Sequence, residues 1–249
     1  MKPSFSTKEA HPRILVGGPT CYLKHDSLNA FFAGLNALTY PNFDVVLEDN
    51  SPAPTYSEKI RTLAQDWEVT HPGRTFRVIY SGETAHYARK RLVNGRNKIR
   101  ELVVREKYDY FLSLEQDVVP PANVIEALLH TEKDIVGATY YNKTPEKTLT
   151  IMAGTFENEE AKMKNIVRSM GFLELFPTRI LNVAYVGLGC TLIARTVLEK
   201  VSFRYEEDKL ASDDIYFCQD AREKGIETYL HTGMLCTHHF NDAFKQTKY

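Results

Sequence analysis

The stretch GRNKIRELVVREKYDYFLSLEQDVVPP, residues 95–121, decides the fold. It reads as the second part of a helix spanning about Arg89 to Lys107, followed by an apolar strand from Tyr108 to Leu114. Glu115-Gln-Asp117 and Pro120-Pro121 close that strand. Upstream the same alternation repeats. Arg13 to Gly17 is a short apolar run ended by a Gly-Pro turn, and a helix capped by Asp26 carries Leu28, Phe31, Phe32, Leu35 and Leu38 at helical spacing. A buried strand spans Phe43 to Glu48, a loop covers Ser51 to Pro54, a helix runs from Ser57 to Val69, and a strand from Thr75 to Tyr80. Continuous apolar strands separated by helices of this length imply an α/β fold, with a mainly parallel sheet covered on both faces.

The second half is mixed. A strand is expected from Asp134 to Tyr141, then an irregular stretch from Asn142 to Arg179 holding one helix at Glu159 to Ser169. Two short strands between Asn182 and Ala194, broken at Gly187-Leu-Gly189, lead to a helix from Arg195 to Val201. A helix from Ser212 to Lys224 and two closing strands, Ile226 to Leu230 and Met234 to His238, complete the chain. There is no repeat, linker or low-complexity tract, so residues 1–249 are expected to form a single domain.

Composition narrows the function. In 249 residues, 43% are hydrophobic and 25% charged, close to the globular norm, which excludes disorder and coiled coil. Lys and Arg number 31 against 32 Asp and Glu, so the basic surplus of a nucleic-acid binder is missing. The apolar runs fall far short of the roughly 20 residues of a membrane-spanning helix, although peripheral membrane contact stays open. The start, MKPSFSTKEAHPR, lacks the apolar core of a secretory signal, which suggests a cytoplasmic protein. Cys21, Cys190, Cys218 and Cys236 show no metal-finger spacing and read as free thiols. The chain carries no GxGxxG after its first strand, and no phosphate-loop, HExxH or GxSxG motif.

In parallel sheets ligands sit at the carboxyl ends of strands, so the polar residues that follow a strand are the candidates. They are Gly17-Gly-Pro-Thr20, Glu48-Asp-Asn-Ser51 and Glu115-Gln-Asp117. Carboxylates at i and i+2 after a strand can point into one space, and such hard oxygen ligands suit Mg²⁺ or Mn²⁺. An isolated acidic turn is more often solvated surface, and Asp49 alone would read as an Asx turn before Pro52. Asp213-Asp214 opens a helix, where one acid satisfies the cap and a second is spare. Of the adjacent His238 and His239, strand geometry lets at most one face a ligand.

Taken in order, ILVGGPT (from Ile14), LTYPNFDVVLEDNS (from Leu38), the stretch from Gly95, VGLGCTLIARTVLEKV (from Val186), DDIYFCQDAREKG (from Asp213) and CTHH (from Cys236) resemble a glycosyltransferase of the GT-A fold, closest to glycosyltransferase family 2. The resemblance implies a Rossmann-like, mainly parallel sheet, with residues 12–119 binding the nucleotide sugar and residues 120–249 supplying acceptor site and catalysis. It implies that Asp49 reads the nucleotide base, with Arg96, Asn97, Pro19 and Thr20 near the nucleotide. Glu115, Gln116 and Asp117 stand at the DxD-like motif, with Glu115 where Asp is more usual. Asp117 would contact a divalent Mg²⁺ or Mn²⁺ bridging the diphosphate, with His238 as a further ligand and His239 as its rival. Asp214 matches the general base of inverting members, with Asp213 beside it where Glu is commoner. Gly187 and Gly189 would border donor sugar and acceptor.

The resemblance thus implies a metal-dependent, hexosyltransferase-like enzyme moving a sugar from a UDP- or GDP-sugar to a hydroxyl of a glycan, lipid-linked or protein acceptor by one in-line inverting displacement. A cation stabilises the leaving diphosphate and a carboxylate takes the acceptor proton. Two other classes share the fold: sugar-phosphate nucleotidyltransferases, which want an Arg-containing loop where Gly17-Gly-Pro-Thr stands, and non-catalytic binding modules, which need no base.

Overall fold

The computed structural model describes residues 11–144, 147–207 and 211–240. Its centre is an eight-stranded sheet built from β1 (Ile14–Thr20), β2 (Phe43–Asp49), β3 (Phe76–Tyr80), β4 (Tyr110–Leu114), β6 (Ile135–Thr139), β11 (Ile180–Val183), β13 (Cys190–Ala194) and β14 (Thr228–Leu235). The strand order is β11-β14-β6-β13-β4-β1-β2-β3. The strands β3, β2, β1 and β4 are mutually parallel; β13 runs antiparallel between β4 and β6, β14 is parallel to β6, and β11 closes the edge antiparallel.

Alternation explains why the first strands read as unbroken apolar runs. In β1, Ile14 and Val16 face one core and Leu15 the other; in β2, Val45 and Leu47 oppose Val46 in the same way. The first core is roofed by α1 (Leu28–Ala37), α2 (Thr55–Thr70) and α4 (Val124–Leu129) through Phe31, Leu35, Ile60, Trp67 and Ile125. The second is roofed by α3 (Ala88–Arg105), α6 (Arg195–Leu198) and α7 (Asp213–Glu223) through Ile99, Val103, Leu198 and Phe217. The expected helices and strands of the first half are therefore present. The four cysteines are free, as expected, and all but Cys21 are buried.

Gly17 has a geometric cause. It sits inside β1 at φ +140°, and a Cβ there would run into the Val46 carbonyl of the neighbouring strand. Gly17→Ala should therefore lose about 2 kcal/mol or more, from strain and overpacking together. Urea unfolding checks this; a loss below about 0.5 kcal/mol would mean the strands separate freely at that point.

Several local expectations are corrected. Asp26 does not cap α1: it lies in a 3-10 turn (Tyr22–Ser27) and pairs with His25, and α1 starts after Ser27 without a side-chain cap. The short helix α4 has no counterpart in the sequence reading, because six residues show too little period. Within 142–179, of which 145–146 lie outside the described residues, the chain forms short strands: β7 (Tyr141–Lys143), β8 (Leu149–Ile151), β9 (Ala153–Phe156) and β10 (Val167–Ser169). The helix expected to reach Ser169 is α5 (Glu159–Met163); Asn158 accepts a hydrogen bond from Ala161 N at 2.8 Å at its start, and Asn165 at φ 52° turns the chain out. β12 (Tyr185–Val186) joins β9 and β10 in a small sheet. The first closing strand is the longer β14, irregular between His231 and Leu235, and the second is only β15 (Thr237–His238). β15 pairs antiparallel with β5 (Val118–Val119), so the end of the described chain closes on the acidic turn after β4.

Candidate active site

The turn after β4 is fixed by Gln116. Its fully buried amide oxygen accepts from Thr20 Oγ1 (2.5 Å) and Tyr56 OH (2.8 Å), and its Nε2 donates to Lys24 O (2.6 Å) and Ser27 Oγ (3.2 Å). With Gln116 held inward, Glu115 and Asp117 converge on one ammonium, that of Lys24 from the 3-10 turn. Lys24 Nζ donates to Glu115 Oε2 at 3.2 Å and to Asp117 Oδ1 at 2.9 Å. The i and i+2 acids thus share one space, as expected.

From there a chain of alternating charges crosses the molecule. Glu115 Oε1 accepts from Arg96 Nη2 at 2.5 Å; Arg96 Nε donates to Asp213 Oδ2 at 2.7 Å, and its Nη1 to Ser113 Oγ at 3.0 Å. At the other end Asp117 Oδ2 faces His238 Nε2 at 3.7 Å. The series Asp213–Arg96–Glu115–Lys24–Asp117–His238 links α7, α3, the end of β4, the 3-10 turn and β15 in one buried network. Its electrostatics follow from burial. Desolvation alone would raise both acids, but Lys24 with His238 outweighs it for Asp117, and Lys24 with Arg96 outweighs it for Glu115, so both carboxyls stay below their usual range. Burial lowers the His238 imidazole, and the adjoining Asp117 carboxylate, with the Tyr141 carbonyl and Glu115, more than restores it, leaving it raised. Its Nδ1 lies 2.7 Å from Tyr141 O.

Asp214 lies beside this network at the start of α7. It is buried, and its Oδ1 accepts from Ser212 Oγ and from Ile215 N (2.8 Å). Desolvation, reinforced by the charge of Asp213, pushes its carboxyl up to about 6. Asp213 differs: its Oδ2 accepts from Arg96 Nε, so it anchors the guanidinium.

Between these acids lies Tyr140, at the end of β6. Its buried hydroxyl accepts from Gly189 N at 2.9 Å, and its ring meets His238 edge-on at 5.5 Å between centroids. Burial first, then the charges of Glu115 and Asp214, keep its phenol well above the ordinary tyrosine range. Gly187 and Gly189, the residues expected to border donor sugar and acceptor, lie against this side chain. A Cβ on Gly189 would lie 2.7 Å from Tyr140, and one on Gly187 would strike the same hydroxyl and come within 2.9 Å of Met152. Both glycines make room for Tyr140.

Other residues expected near the nucleotide are likewise committed elsewhere. Asp49 is fully buried and is bonded by Ser51 N (2.9 Å), Ser51 Oγ (2.5 Å) and Ser57 Oγ (2.6 Å), so its oxygens order the loop after β2. Asn97 exchanges two hydrogen bonds with the backbone of Phe203, at 2.9 and 3.0 Å. Thr20 donates its hydroxyl to Gln116, and Pro19 is buried beneath Gly95. Arg96, Glu115, Asp117, Asp213, Asp214 and His238 are the expected residues that the structure brings together. His239 is exposed and meets Asp117 only by a backbone bond, N to O at 2.7 Å.

The divalent ion implied by the resemblance does not fit this arrangement. All four oxygens of the acidic pair already face a cation or an imidazole: Arg96 and Lys24 on Glu115, Lys24 and His238 on Asp117. Among the described residues no group of three or more His, Cys, Asp and Glu is disposed to hold a metal. Lys24 holds the position between the two acids that a cation would take, so a dication would have to displace its ammonium.

Comparison with known proteins places the architecture. Over 94% of its length the chain superposes on a crystal structure of GalNAc-T7 with UDP, GalNAc and Mn²⁺, with a TM-score of 0.63 and 10% identity. The chain has the GT-A glycosyltransferase fold. It spans 45% of the length of that GalNAc-T7 chain. A second solved structure, A197 from STIV, matches 92% of the chain and 86% of its own at 16% identity and a TM-score of 0.46. No protein-family model and no curated protein sequence matches, so the likeness to family 2 rests on motif order alone. Among the described residues no helix is long and apolar enough to cross a membrane.

Sequence reasoning missed Lys24, Tyr140 and Ser113. Lys24 lies just past the carboxyl end of β1, the position that drew attention to the acids, and that position was its only signal.

Proposed function

We propose that this chain is a glycosyltransferase that moves a sugar from a nucleotide-sugar donor, a UDP- or GDP-sugar, to an acceptor hydroxyl by inverting in-line displacement. The observation that carries the reading is Asp214. It is a buried carboxylate held near neutrality, beside an ion-pair network at the carboxyl ends of the strands of a GT-A fold. A base whose pKa lies near working pH is what deprotonation of a hydroxyl requires. The acceptor oxygen forms a bond to the anomeric carbon, the bond from that carbon to the diphosphate oxygen breaks, and Asp214 takes the hydroxyl proton. Residues 12–119 would hold the nucleotide end and residues 120–249 the acceptor, which would be a glycan, a lipid-linked sugar or a protein side chain. The free thiols agree with work in the cytoplasm.

Incubation with a panel of UDP- and GDP-sugars should release the matching nucleoside diphosphate slowly, and faster with acceptor. Release of pyrophosphate from a nucleoside triphosphate and a sugar 1-phosphate would reassign the chain to nucleotidyl transfer. Absence of any turnover or nucleotide binding across the panel would reduce it to a fold without this activity.

A further inference from the structure

Lys24 has no place in the expected chemistry, yet it sits where that chemistry would put a metal. Its side chain is 8% exposed, and its ammonium lies between Glu115 and Asp117. The position is constructed: Gln116 Nε2 bonds the Lys24 carbonyl at 2.6 Å, and Ser27 Oγ bonds the same carbonyl at 2.7 Å. The backbone of the turn is thereby tied to the acidic loop on both sides. A lysine that merely covered an acidic surface would need no such anchoring, and long side chains at a surface are held weakly.

We infer that Lys24 is the resident cation of this site, standing in place of a divalent ion, so that the diphosphate end of the donor is bound without metal. The inference deepens the proposed glycosyl transfer and, for the diphosphate, rests on it. The chemistry is consistent. A leaving diphosphate needs positive charge beside its oxygens, and a lysine ammonium is a point charge suited to phosphate. Glu115 and Asp117, which in a metal site would be ligands, become the cradle that positions the ammonium. Arg96 supports the cradle from behind by taking the second oxygen of Glu115.

The test separates the cation from the donor. Mn²⁺ binding is measured first, without nucleotide, by the loss of its paramagnetic resonance signal on titration of the protein. The parent should bind no Mn²⁺ at the acidic pair. Lys24→Gln, which removes the charge and frees two carboxylates beside His238, should gain at least tenfold in Mn²⁺ affinity. Lys24→Arg, which keeps the charge, should resemble the parent. UDP and GDP binding is then measured by calorimetry in chelator and in excess Mn²⁺. The parent should show affinities within about threefold of each other, and Lys24→Gln should bind nucleotide at least tenfold better with Mn²⁺ than without. Tight Mn²⁺ binding by the parent, abolished by Asp117→Asn, would overturn the inference. That result needs no Lys24 variant to fold. If the Mn²⁺ results are as expected but neither nucleotide binds under any condition, Lys24 stands as the cation, its role toward a diphosphate is overturned, and the proposed donor fails with it.

Discussion

Asp214→Asn should fold more stably than the parent at neutral pH and transfer sugar far more slowly. The stability half follows from linkage. The folded carboxyl titrates at about 6 because burial and Asp213 disfavour its charge, whereas the unfolded one titrates near 3.8. A raised carboxyl favours the folded state only while protonated. The parent should therefore lose stability as pH rises from about 4 through 6, and the loss should level off above that. The difference of about two pH units corresponds to at most roughly 3 kcal/mol. Asn keeps an oxygen for Ser212 Oγ and Ile215 N but carries no charge, so its advantage should appear at pH 7 to 8 and vanish below about pH 4. The kinetic half follows from the role. Loss of a general base should reduce single-turnover transfer at saturating donor by about 10²–10⁴-fold, while nucleotide binding stays nearly unchanged. The parent rate should rise through about pH 6 as the carboxylate forms, and that limb should be missing in the variant. A pure helix cap would give the opposite pattern, because Asn caps about as well as Asp: the rate would change by only a few-fold.

The two halves of the chain differ in how openly they declare themselves. Strands β1, β2 and β4 are buried on both faces, so they appear in the sequence as continuous apolar runs, and their helices show full periods. The small strands β7 to β10 are three or four residues long, too short for alternation to stand out from a loop. Glu115 and Asp117 are legible because they follow a strand, and Asp213 and Asp214 because they open a helix. Lys24 is not, since a lysine in a turn is ordinarily surface and nothing in the sequence marks it as buried. Asn97, Gly187 and Gly189 show the converse. Their positions in the motifs are as expected, but a motif does not reveal whether a residue faces a ligand or its own neighbours, and here Asn97 faces Phe203 and the glycines face Tyr140. Asp49 belongs with them: the Asx-turn reading that its neighbourhood suggested in isolation is what its hydrogen bonds display.

Arg96→Leu should be strongly destabilising, because it leaves Asp213 without its cation and Glu115 with Lys24 alone. The guanidinium is 2% exposed and bonds Glu115, Asp213 and Ser113. Burial works against its charge, but Asp213 and Glu115 more than compensate. Removing one partner of a buried ion pair costs about 3–5 kcal/mol, since the remaining charge is left without compensation. The direction with pH identifies the cause. Glu115 is held below its usual range, so in the parent its contribution is present above about pH 4.5 and lost as pH falls further. In the variant the buried Glu115 has lost one of its two cations and can be relieved by protonation, so the deficit measured by urea unfolding should be largest at pH 7 and shrink toward pH 4. A cavity left by a lost side chain would instead cost the same at both pH values. Replacing the acids as well, in Arg96→Leu with Glu115→Met and Asp213→Leu, should recover much of the lost stability, because a well-packed apolar triad costs no desolvation. It should nonetheless abolish transfer, since Lys24 then loses its cradle and Asp214 its charged neighbour. Stability recovered with activity lost would show that Arg96 holds charges in place for function and that the fold itself can do without them. A deficit for Arg96→Leu below about 1 kcal/mol, unchanged with pH, would show that the network carries little energy.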